Sequence, residues 1–235
     1  MTHRVLVPFE LPDPKPLSPV LVEDLASMDV VVLGHYALPE QTPPSAAREQ
    51  FEDGARVTLD ALAAPFEEAG ATVTTRLVFG RDRARTIDRV AIEEDCDAEF
   101  DPAPVESIKR VLVPTRDAGN LERLVDFVRA LVGESTETVT LFHVLAPDET
   151  PEVAEEMLAQ ARERITRLGL PAELVEIDVT NEDDPKEAIV ERAGAYDVVV
   201  VGETDATTVE RIFGELPDRI VNRTGTPVLV VRRNE

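Results

Sequence analysis

The sequence predicts an α/β protein made of two doubly wound parallel-sheet domains, the first lacking the last helix and fifth strand of the second. Three observations carry this reading. Short apolar runs alternate with helical stretches, which implies right-handed crossovers and a parallel sheet. Arg4-Val-Leu-Val-Pro8 returns as Arg110-Val-Leu-Val-Pro114. Finally, Cys96-Asp97 corresponds to Tyr196-Asp197, but only the second half goes on from there to a further helix and strand. The first half instead passes through the Pro-rich Asp101-Pro-Ala-Pro104 and restarts. The domains are therefore expected at 1–105 and 106–235.

In the first half, Val5–Phe9 reads as a buried strand closed by a proline-containing run. Leu17–Ala26 follows as a helix, and Asp29–His35 as the second strand. A proline-led helix of several turns begins near Thr42 and stops near Gly70. Ala71–Phe79 is a third strand, Asp82–Glu94 a helix and Cys96–Phe100 a fourth strand. In the second half Arg110–Pro114 opens the sheet. Asn120–Val132 is helical, with Leu121, Leu124, Val125 and Val128 on one face. Thr138–Val144, Ala172–Val179, Asp197–Val201 and Pro227–Arg232 read as strands. Helices at Pro151–Leu168, Asp184–Gly194 and about Thr207–Thr224 lie between them.

Charge narrows the function classes. The 235 residues carry 47 Asp and Glu against 24 Lys and Arg, a net charge of −23. Such a chain repels nucleic acid, so no DNA or RNA partner is expected. It also repels itself unless salt screens it. Lys-poor, acidic composition with ordinary apolar content fits a halophile. No apolar run approaches the roughly 20 residues of a membrane span, and the start shows no signal peptide. A cytoplasmic location and no membrane insertion are expected. The single cysteine, Cys96, excludes an internal disulfide, and its acidic neighbours disfavour a reactive thiolate.

The repeated Val-Leu-Val-Pro, the βαβαβαβαβ order of the second half, Val199-Val-Val-Gly202 and the closing Pro227-Val-Leu-Val-Val231 resemble the universal stress protein family. The resemblance covers 108–233 well and 1–101 weakly. It implies a Rossmann-like sheet and a stress-response or regulatory role. Nucleotide-binding members carry Gly-x2-Gly-x9-Gly-Ser/Thr after strand four. There glycines let backbone N–H groups approach phosphate, and the next helix points its N-terminus at the anion.

This chain departs from that motif. Gly202 matches the first glycine, but Asp205 stands at the second. Gly214 comes one residue early, and Glu215 replaces the hydroxyl. After strand one, Thr115-Arg116-Asp117 places Arg116 where an acidic residue is expected and Asp117 one position late. Glu203, Asp205 and Glu215 oppose a triphosphate, and only Arg116 and Arg211 offset them. Thr115, Arg116, Asp117, Gly202, Asp205, Gly214 and Glu215 are the candidate nucleotide residues of a degenerate site. A plainer reading stands beside each: Gly202 serves the turn, Asp205 caps a helix, and Glu215 is solvated.

His35 and His143 close the second strand of each half, as pocket residues or simply as strand-end polar groups. Asn181-Glu-Asp-Asp184 reads as an acidic helix start rather than a cation site. No catalytic triad, metal spacing or nucleophile elbow is present in the sequence. The expectation is therefore a non-enzymatic protein without a bound cofactor, and the alternative is an ATP or AMP sensor or slow ATPase. A third reading is a regulatory module acting in trans on a transporter or another protein partner. A homodimer is expected through the last strand, Pro227, Val228, Leu229, Val230 and Val231.

Overall fold

The computed structural model describes residues 2–39, 41–101, 105, 108–116, 118–133, 135–203 and 216–232. The chain divides into two compact units, Met1–Pro102 and Ala103–Arg233.

The first unit runs β1 (Arg4–Leu11), α1 (Pro19–Leu25), β2 (Asp29–Ala37), α2 (Pro44–Glu68), β3 (Val73–Gly80), α3 (Arg83–Glu93) and β4 (Ala98–Asp101). Its strands lie in the order β3-β2-β1-β4. All three pairings are parallel. β1 and β2 read as apolar runs because helices cover both faces: Val5, Leu6, Val7, Val30, Val31, Val32 and Leu33 are buried. The second unit runs β5 (Arg110–Pro114), α4 (Ala118–Leu131), β6 (Thr138–Val144), α5 (Pro151–Arg167), β7 (Val175–Thr180), α6 (Pro185–Ala193), β8 (Val198–Gly202), α7 (Leu216–Thr224) and β9 (Val228–Val231). Its order is β9-β8-β5-β6-β7, again parallel. One face is filled by Leu112, Phe142, Val190, Val199, Ile220 and Val228.

The winding reverses between β5 and β8. Open parallel sheets take ligands at such a switch point, outside the carboxyl ends of the strands. Every boundary falls within a few residues of its sequence expectation, with two qualifications. Ala172–Leu174 forms a 3₁₀ turn and not the start of β7, because Leu174 N–H bonds back to Pro171 O. Only Leu216–Thr224 of the helix expected from about Thr207 is described, since 204–215 lie outside the described residues. The two long helices stop alike, at Gly70 (φ +94°) and Gly169 (φ +100°), left-handed positions that favour glycine.

The repeat has a structural cause in two aspartates. Asp97 Oδ2 accepts from Arg4 N–H at 2.8 Å, and Asp97 N–H donates to Arg4 O at 2.8 Å. In the second unit Asp197 Oδ2 accepts from Arg110 N–H at 2.8 Å and from Lys109 N–H at 3.1 Å. Asp197 N–H returns a bond to Arg110 O at 2.9 Å. Each aspartate thus fastens the start of a central strand to the strand that enters beside it. Asp97→Ala and Asp197→Ala are each expected to cost about 1–2 kcal/mol. Urea denaturation of each variant checks this.

Candidate nucleotide site

The switch point of the second unit is built from strand ends. Val111 pairs with Val198 and Leu112 with Val199. Thr115 directly follows β5 and Gly202 ends β8, so both residues picked from sequence lie at the carboxyl ends of this pair of strands. Thr115 is buried and the next residue, Arg116, is exposed. Gly202 is half-buried and ends β8. The following residue, Glu203, donates its N–H to Val231 O at 2.8 Å. Asp117, Asp205, Arg211, Gly214 and Glu215 lie outside the described residues.

The backbone at this end is held by a histidine. Thr115 N–H donates to Phe142 O at 2.9 Å. The next β6 residue, His143, is 2% exposed. Its Nδ1 stands 2.9 Å from Thr115 O, and its Nε2 stands 2.7 Å from Glu149 Oε2. The same Glu149 oxygen accepts from Ala146 N–H at 3.0 Å. A carbonyl and an ionised carboxylate can only accept, so each ring nitrogen of His143 faces an acceptor. The hydrogen bond from His143, then the one from Ala146 and the histidine's charge, hold the Glu149 carboxyl below its ordinary value, against a smaller opposing effect of burial.

Sequence reasoning finds His143 as a strand-end residue but misses Glu149. The signal is a carboxylate placed one tight turn beyond the histidine: Glu149 N–H bonds Ala146 O at 3.0 Å. Because the folded carboxyl ionises more readily than the unfolded one, the pair stabilises the protein above the ordinary carboxylate range near 4.3. That contribution is lost as pH falls through the folded value. Glu149→Gln is expected to cost about 1 kcal/mol at neutral pH and to flatten the acid limb of stability, read as urea midpoints across acidic pH.

Asp184, the last residue of the acidic run, caps α6. Its Oδ1 accepts from Lys186 N–H at 3.0 Å and Glu187 N–H at 3.2 Å. Among the described residues no group of three His, Cys, Asp or Glu could hold a metal ion. Among them, too, no helix is long and apolar enough to cross a membrane.

The fold has known counterparts. A universal stress protein from Archaeoglobus fulgidus DSM 4304 superposes with a TM-score of 0.66 at 14% identity, covering 99% of this chain and 97% of that one. A functionally unknown protein from Pseudomonas aeruginosa PAO1 gives a TM-score of 0.51 at 15% identity, with 98% and 92% covered. A universal stress protein crystallised in complex with cAMP gives 0.44 at 25% identity, covering 54% of this chain and 98% of that one. No curated protein matches the chain. Residues 107–232, more than half of the chain, match the family model described as "Universal stress protein family", and the chain belongs to that family.

Proposed function

We propose that this is a non-enzymatic stress-response protein of its family, with a truncated first domain before a complete second one, which has given up tight nucleotide binding. One observation carries the reading. In the sequence after β8, Asp205 and Glu215 stand at the family's glycine and hydroxyl positions, with the spacing one residue short. A polyphosphate would meet carboxylates where it needs N–H and O–H donors. The net charge of −23 belongs to the same proposal, as adaptation to a salt-rich cytoplasm. Native mass spectrometry of the purified protein, with calorimetric titration of ATP and AMP with and without Mg²⁺, tests it. A co-purifying nucleotide or tight binding would overturn it.

Arg116 supports the second reading, a nucleotide sensor, because it is an exposed cation beside Thr115. In that case Arg116→Ala abolishes the binding heat. Regulation of a partner in trans is a role for the same non-catalytic scaffold, and co-purification with a membrane transporter would support it. Self-association through Pro227–Val231 has narrower scope. Val228, Leu229, Val230 and Val231 are already buried within the chain. Sedimentation in molar salt that finds only monomer removes the dimer.

A further inference from the structure

His35 and His143 occupy matching places, in register with Val78 and Val179 of the neighbouring strands. Their surroundings differ. His143 has both nitrogens engaged, whereas His35 is 1% exposed and among the described residues neither of its ring nitrogens has a hydrogen-bond partner. Buried polar groups are normally satisfied, so such an orphan calls for an explanation.

The space beside the ring is specific. A side-chain carbon built on Gly80 would stand 3.5 Å from His35 Nε2 and 3.4 Å from Thr86 Oγ1. Glycine keeps that position empty. Gly80 and Thr86 also line a cleft of about 570 Å³, shared with Arg81, Arg85 and Arg89. Arg81, Arg83, Arg85 and Arg89 fall within nine positions of a chain whose net charge is −23. Beyond its N-cap Asp82 the first turn of α3 holds no acidic residue, although a helix N-terminus favours negative charge. Cations gathered there suit an anion that comes from outside.

Three acidic residues, Asp82, Asp88 and Glu93, line the same cleft as the three arginines, and two of them are committed. Asp82 caps α3, its Oδ1 accepting from Arg85 N–H at 3.0 Å, and Glu93 takes Arg89 at 2.8 Å. Among the described residues Arg81 reaches Thr42 O, at 3.4 Å. The Arg85 side chain, 80% exposed, lies 3.8 Å from Asp82. The charged groups acting on the His35 ring are Arg83 and Asp82 from the start of α3 and Glu10 from the end of β1.

We infer that the first unit carries an oxyanion site for a phosphoryl group at the carboxyl end of β2 and β3. Arg81 and Arg85 supply charge, the start of α3 faces the anion, and Gly80, which has no side chain, separates it from the buried His35 Nε2. This site goes beyond the reading given for the second unit and shares no residue with it. Unit two offers no equivalent, since Asn181-Glu-Asp-Asp184 stands where unit one has Arg81-Asp-Arg-Ala-Arg85.

The test uses the full chain in molar KCl at constant ionic strength. Inorganic phosphate and AMP are titrated while the amide signals of residues 80–86 and the His35 ring are followed by NMR. Saturable shifts with both probes, weakened about tenfold or more in R81Q/R85Q, support a site that reads the phosphoryl group itself. Shifts with AMP alone, equally sensitive to R81Q/R85Q, support it with an organic phosphate monoester as the source. Gly80→Ala, which fills the space, is expected to weaken binding likewise, with far-UV circular dichroism verifying that it folds. No saturable shift at tens of millimolar phosphate or AMP overturns the inference. So do shifts that persist unchanged in R81Q/R85Q.

Discussion

A chain repaired to the family's loop pattern is expected to bind ATP about ten- to a hundredfold more tightly than the natural one. The repair is Asp205→Gly, Glu215→Ser and one glycine inserted between 205 and 214, which restores Gly-x2-Gly-x9-Gly-Ser from Gly202 onward. The magnitude follows from charge. A carboxylate about 4 Å from a phosphate charge opposes it by about 1 kcal/mol in bulk water and about 4 kcal/mol near a protein surface. Removing two carboxylates on the solvated side of that range recovers about 1.5–3 kcal/mol, and each 1.4 kcal/mol is tenfold in affinity. Geometry adds to this, because glycine at 205 lets the backbone N–H approach the phosphate and serine offers a hydroxyl donor. The control Asp205→Asn/Glu215→Gln removes charge without restoring the loop and is expected to recover only the electrostatic part. Calorimetric titration of the three chains side by side reads both effects. Equal weakness in all three would place the obstacle elsewhere, with Thr115 and its neighbours the next suspects.

The strand frame is legible because parallel strands covered on both faces appear as unbroken apolar runs. Arg110–Pro114 and Thr138–Val144 coincide with β5 and β6 to the residue. Gly70 marks the stop of α2 because only glycine takes its left-handed conformation without strain. Ala172–Leu174 is not legible as a turn. Its composition continues the β pattern of Val175–Val179, and what decides is a local bond to Pro171 O, whose φ proline fixes. In the site, the place of Thr115 and Gly202 at the carboxyl ends of β5 and β8 follows from strand order alone. The role of His143 does not, because Glu149 reaches it through a turn rather than a helix or strand period. His35 makes the same point more sharply. It shares residue type and strand position with His143, and only the third dimension shows that one ring is bonded at both nitrogens and the other, among the described residues, at neither.

Moving the protein from molar salt to about 0.1 M is expected to lower its stability by on the order of 5 kcal/mol, a large part of the 5–15 kcal/mol that holds a typical domain. Two electrostatic effects compete. Ion pairs such as Arg76 with Glu93 at 2.8 Å and Glu94 at 2.6 Å strengthen as salt is removed. Exposed pairs contribute only about 0–1 kcal/mol each, however. Against them stand the 47 acidic residues, which outnumber the 24 Lys and Arg by 23. A like-charge pair about 10 Å apart in water repels by about 0.4 kcal/mol before screening. With a Debye length of about 3 Å at 1 M and about 10 Å at 0.1 M, almost none of that survives in strong salt and about a third returns in dilute salt. A few dozen such pairs sum to several kcal/mol, and expansion of the unfolded chain relieves most of it there, so the cost falls on the folded state. Thermal melts across a KCl series read the outcome directly. A melting temperature that holds or rises on dilution would mean that the acidic surface is not an adaptation to salt, and the excess carboxylates would then have to be explained by a cationic partner.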